Sequence, residues 1–91
     1  MGLYTFFTTY DNGTQVAQVT ADSPSQALEL WIGEVDMANL SNWGEPARQE
    51  LAEAMKGDQP IPIRGAKRTW CWSTLLDDKL LLVHFTETAE N

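Results

Sequence analysis

Two side chains have the types that could do covalent chemistry. Cys71 and His84 are the one cysteine and the one histidine of the chain. The segments 67–76 and 79–88 are rich in apolar, aromatic and β-branched residues, which predicts two strands. Asp77-Asp78 lies between them as a hairpin loop. With those two residues as the loop, Leu75 faces Leu80, Trp72 faces Val83, Trp70 faces Phe85, and Cys71 faces His84. A thiol beside an imidazole is the beginning of a nucleophile–base pair. It also needs a thiolate-stabilising environment, a third group to orient the ring and an oxyanion donor. The sequence places none of these, and the competing reading is a small buried thiol next to a satisfied histidine. As metal ligands the pair supplies two of the four that structural zinc takes, and only a shared site across a dimer axis would complete the set. The expectation is no metal and no cofactor, with Cys71 and His84 as the candidates for a thiol-dependent enzyme or sensor.

The carboxylates offer less. Asp77-Asp78 has turn composition, and the pairs Glu29 with Glu34 and Glu50 with Glu53 fall on polar helix faces. Glycoside chemistry needs a cleft and a fixed carboxylate separation, for which a single small sheet leaves little room. There is no glycine-rich phosphate cradle, no Gly-x-Ser-x-Gly and no His-Glu-x-x-His string. Arg64, Lys67 and Arg68 cluster at the entry to the third strand, either as a small anion-binding spot or as a solvated edge.

Charge narrows the partners. The net charge is −7 and the sequence pI about 4.4. An acidic chain is a poor match for a phosphate backbone or an anionic membrane. Aromatics on a sheet can stack nucleic-acid bases, but the basic-aromatic string of the four-stranded RNA-binding folds is missing. The expectation is therefore no nucleic acid and no membrane. No apolar run approaches the ~20 residues of a membrane span. The first residues lack a basic region followed by a long apolar run. One cysteine excludes an internal disulfide. Together these predict a cytoplasmic protein.

The elements that must position these residues begin with a helix over 24–35. Ser23 is its N-cap, Pro24 its first helical residue, and Gln26 stands where a capping box needs it. Ala27, Leu28, Trp31, Ile32 and Val35 share one face, which needs a sheet to lie on. The helix is expected to continue toward Asn39. A second helix starts near Glu45 or Pro46, has a stripe of Ala47, Leu51, Ala54 and Met55, and stops at Gly57. Trp43, in the loop between them, plugs the corner or contacts a ligand. A ligand pocket between helices and sheet near Trp43 is the third functional class the residues leave open.

Residues 3–10 and 14–21 form an N-terminal hairpin with two open registers. An Asn12-Gly13 turn puts Phe6 opposite Val19 and Tyr4 opposite Ala21, with Tyr4 and Phe6 in the core. A bulged three-residue loop puts Leu3 and Phe7 there instead. Pro60 and Pro62 force extended geometry on residues 57–66, a connection with edge-strand character. Ninety-one residues make one domain, 1–91, with residues 89–91 frayed. The predicted fold class is α+β, in the order β-β-α-α-β-β: a four-stranded antiparallel sheet with two helices on one face.

The C-terminal hairpin is apolar on both sides. Trp70, Trp72, Leu81, Val83 and Phe85 share one face, and Cys71, Leu75, Leu80, Leu82 and His84 the other. One side must stay uncovered unless something packs on it. The first function expected is thus a small acidic interaction or regulatory module without enzymatic activity. It would hold a protein partner, or itself as a homodimer, through the aromatic face of Trp70, Trp72, Leu81, Val83 and Phe85. An immunity- or antitoxin-like inhibitor of a basic protein is one concrete version.

Overall fold

Threonine and aromatic residues, both favoured in strands, make up most of the first strand. In the computed structural model, which describes residues 2–11, 13–35, 45–76 and 78–90, β1 covers Gly2–Tyr10 and β2 covers Gly13–Ala21. They are followed by α1 (Pro24–Glu34), α2 (Glu45–Gly57), β3 (Ile61–Pro62), β4 (Thr69–Leu76) and β5 (Lys79–Glu90). The expectations for residues 36–44, including Trp43 and the extension of α1 toward Asn39, lie outside the described residues. The class is α+β, with one antiparallel sheet and two helices among the described residues.

The sheet has five strands in the order β2-β1-β5-β4-β3, not four. The added strand is short: Ile61 pairs with Cys71 and Pro62 with Trp70. Pro60 and Pro62 hold this backbone extended, and a proline without an N–H is tolerated at an outer edge. β5 is the central strand, and its pairing with β1 joins the two hairpins. That ladder runs from Tyr10 with Leu81 to Gly2 with Glu90, broken by an irregularity between Leu3 and Tyr4. The backbone of Ala89 and Glu90 is paired in this ladder, with Leu3 and Gly2.

Both hairpins turn through positive φ, at Asp11 (47°) and Asp78 (62°), as the twist of two-residue loops requires. The β4–β5 register is the predicted one, with Cys71 opposite His84 and Trp70 opposite Phe85. The β1–β2 register is neither alternative. Tyr10 pairs with Gly13, which sets Tyr4 against Val19 and Phe6 against Ala17. This lies two residues from the Asn12-Gly13 alternative. A slide of two preserves the faces, so Tyr4 and Phe6 still point to the core. Tyr10 donates from its hydroxyl to the Leu76 carbonyl at 2.6 Å, which ties the end of β1 to β4.

Both helices bury their stripes on the face carrying Tyr4, Phe6, Trp72, Val83 and Phe85. Rings stack through the core: Trp31 on Phe6 at 5.7 Å, Phe6 on Phe85 at 4.4 Å, and Phe85 on Trp70 at 5.7 Å. The Ser23 hydroxyl accepts from the Gln26 amide at 3.1 Å. The Gln26 side-chain oxygen accepts from the Asp22 amide at 2.6 Å, one residue before the cap amide that a capping box uses. At the other end of α1, Arg48 of α2 donates to the Ile32 and Val35 carbonyls at 2.7 and 3.0 Å. A guanidinium there satisfies carbonyls that a helix end leaves without partners. The Trp72 indole N–H donates to the Asp58 carbonyl at 3.0 Å and ties the end of α2 to β4.

Candidate functional site

Strand alternation sends the partners of the core residues to the opposite face of the sheet. Neither helix covers that face. One row crosses all five strands on it: Val16 on β2, Phe7 on β1, His84 on β5, Cys71 on β4 and Ile61 on β3. The row is set by consecutive cross-strand pairs and puts His84 on the central strand. Toward the β4–β5 turn the next residues are Leu82 and Ser73, then Leu75 paired with Leu80. Phe7, Val16, Ile61, Leu75 and Leu80 are between 45% and 63% exposed. Half-burial of a single apolar residue is ordinary, but five gathered on one face form a patch.

Toward the other end the face turns polar. The Gln18 side chain donates to the Thr5 hydroxyl at 3.0 Å, and Thr5 bonds the Thr88 hydroxyl at 3.0 Å. Thr69 bonds Thr86 at 3.2 Å, and Thr86 donates to the Arg68 carbonyl at 3.0 Å. These hydroxyls have partners within the sheet, so the polar end needs no ligand to satisfy it. The described strand residues of this face include no Asp, Glu, Lys or Arg, although the chain has 13 acidic and 6 basic residues. Among the described residues the charges lie on the helices, the turns and the loops, and on β5 at Lys79 and Glu87, which pair with core-side residues Leu76 and Tyr4.

The thiol–imidazole pair sits in the middle of this surface. Cys71 is a free, half-buried thiol opposite His84, as the hairpin register predicted. The flanking members of the row are Phe7 beyond His84 and Ile61 beyond Cys71. Neither can orient an imidazole or stabilise a thiolate, and no group of three metal-ligating side chains occurs among the described residues. The pair supplies a polar spot in an apolar field, and among the described residues its row gives it no third member of the kind nucleophilic chemistry uses.

The residues predicted to contact a partner lie on the other side. Trp72, Leu81, Val83 and Phe85 are core residues, and Trp70 is half-buried against them. The assignment of the C-terminal hairpin's two faces is thus reversed. Tyr4 and Phe6 of β1 join the Trp70 face, and the combined aromatic volume is what the helices cover. An open groove of about 510 Å³ lies between α1 and α2, with Ile32, Gly33, Arg48, Ala52 and Met55 in its walls. It is a furrow between helices, not the pocket between helices and sheet that the sequence left open. Arg64 and Lys67 are exposed, while Arg68 sits 3.9 Å from Glu87.

The chain matches no family model, no curated protein and no solved structure. The functional reading therefore rests on this surface. Among the described residues no helix is long and apolar enough to cross a membrane.

Proposed function

We propose that the chain is a small protein-interaction module, without enzymatic activity, that docks through the open face of its sheet. The observation that carries this reading is the coincidence of exposed apolar side chains with the absence of charged ones on that face. Interface centres are depleted in charge, and the ordinary surface of an acidic protein is not. The surface belongs to Phe7, Val16, Ile61, Leu75 and Leu80, with His84 and Cys71 between them. A single cysteine, with no disulfide to protect, fits action in the cytoplasm.

The test is association of the wild-type chain and of Val16→Lys/Leu80→Lys, compared across salt concentrations. Both positions are exposed, so the double variant keeps wild-type stability to within about 1 kcal/mol. It loses association with itself or with a captured protein. Equal association by the two proteins refutes the reading. Association that weakens steeply with salt would point instead to a basic partner on the acidic helix surface of Glu29, Glu34, Glu50 and Glu53.

A further inference from the structure

We propose that the open face closes on a second copy of this chain, as a two-fold sandwich of two five-stranded sheets with His84 at its centre. The inference rests on the interaction-module reading and names the occupant of the surface. Charge argues first. Each copy is at −7, so two copies can approach only on a face from which carboxylates are missing. The open face meets that condition, and to a basic partner it offers no carboxylate to bind.

Area argues second. Strands ~4.8 Å apart and eight residues at ~3.4 Å each give this face a footprint on the order of 600 Å². Two such faces bury about 1,200 Å², the lower end of the range for specific interfaces. The expected dimer is therefore weak and concentration-dependent. The pattern of residues then fixes the axis. A two-fold axis along β5 lays the leucine end, Leu75 and Leu80, on the same end of the second copy. It brings Val16 toward Ile61 of the second copy and leaves threonines facing threonines. An axis across the strands would set leucines on the threonine network. Aligned packing of sheets ~10 Å apart has the room for interdigitating side chains.

This arrangement makes the dimer sensitive to acid. His84 is flanked by Cys71 of β4 and Phe7 of β1, with Leu82 and Thr86 on its own face of β5. His84 of the second copy lies across the axis. None of these is a carboxylate, so a proton on each imidazole places like charges in a closed, apolar contact.

Sedimentation from about 5 to about 500 µM, the range a small interface requires, reads the dimer directly. The expected results are a dimer that tightens with added salt, as repulsion between acidic copies is screened, and that weakens on acidification. His84→Gln removes the pH response whatever its affinity at the higher pH. Leu80→Lys is monomeric with an unchanged melting temperature. Alkylation of Cys71 slows several-fold as protein concentration rises, because the second copy covers it. A monomer at every concentration overturns the dimer; if Leu80→Lys nonetheless abolishes binding of another protein, the interaction-module reading survives. A dimer indifferent to Leu80→Lys, with Cys71 alkylation independent of concentration, pairs elsewhere, such as along the uncharged edge of β2, and overturns both.

Discussion

Phe6 and Phe7 are adjacent in sequence and opposite in fate, and truncating each to alanine tests the orientation of the whole sheet. Phe6 is 0% exposed and stacks on Phe85 at 4.4 Å and on Trp31 at 5.7 Å. Burial of such a ring is worth ~1.5–3 kcal/mol in transfer. Its two ring contacts add ~0.5–1.5 kcal/mol each, and the vacated space raises the cost to the ~3–5 kcal/mol typical of buried Phe→Ala. Phe7 is 45% exposed on the open face, so its truncation costs roughly 1 kcal/mol or less. A domain of this size is stable by roughly 5–14 kcal/mol. Phe6→Ala thus removes a large part of that margin and lowers the melting temperature by roughly 15–30 °C. Urea unfolding followed by tryptophan fluorescence measures both variants, since Trp31 and Trp72 are in the core. If Phe7→Ala is the more damaging variant, the register of β1 is slipped by one residue. The face assigned to partners would then be the core, and the reasoning above would fail with it.

Three further outcomes follow from particular contacts. Thr8 is buried with a hydroxyl that has no hydrogen-bond partner among the described residues, so Thr8→Val, of the same shape, stabilises the chain by about 1 kcal/mol; a loss of stability in urea unfolding would contradict this. Ser23→Ala costs ~1 kcal/mol by removing the hydroxyl that accepts from the Gln26 amide, and an unchanged midpoint would show that the cap contributes nothing. Burial of the Tyr4 phenol, with Glu87 beside it, raises its pKa above the ordinary 10.0. The folded chain holds that proton where the unfolded chain has released it, so this contribution is intact below pH 10.0 and lost as pH rises through the folded value. Tyr4→Phe flattens this alkaline decline in pH-dependent unfolding, and an equally steep decline in the variant counts against the assignment.

Local signals in the sequence were decisive where contacts are local. The β4–β5 register followed from a two-residue loop and alternation, and every predicted pair from Trp70–Phe85 to Leu75–Leu80 occurs. The bounds of α2 and the cap of α1 followed from Ser23, Pro24, Glu45 and Gly57. The first hairpin was less legible, because Asp11, Asn12 and Gly13 all suit a tight turn and nothing in those residue types selects the observed pairing of Tyr10 with Gly13. Strand order had no local signal, since β1 meets β5 across most of the chain. That missing adjacency also reversed the two faces of the C-terminal hairpin. Trp70 and Trp72 look like binding anchors on an isolated hairpin, and become core once Phe6 is known to stack on Phe85. One signal could have found the open face: the side with His84, Cys71 and Ser73 carries more polar atoms and less ring volume than the side with two tryptophans.

The central place of β5 has a consequence during synthesis. β1 forms one of its two ladders with β2 at once, but the other needs residues from Leu81 onward. At ~5–20 residues per second, the roughly 70 residues between these strands take about 4–14 s to be made. Throughout that interval the inner edge of β1 is unpaired and Phe6 lacks the ring of Phe85. A nascent chain halted before β5 would present a bare strand edge beside an apolar surface, the combination that invites aggregation. Of the strands of this sheet, the one made last is thus the one that joins its two halves.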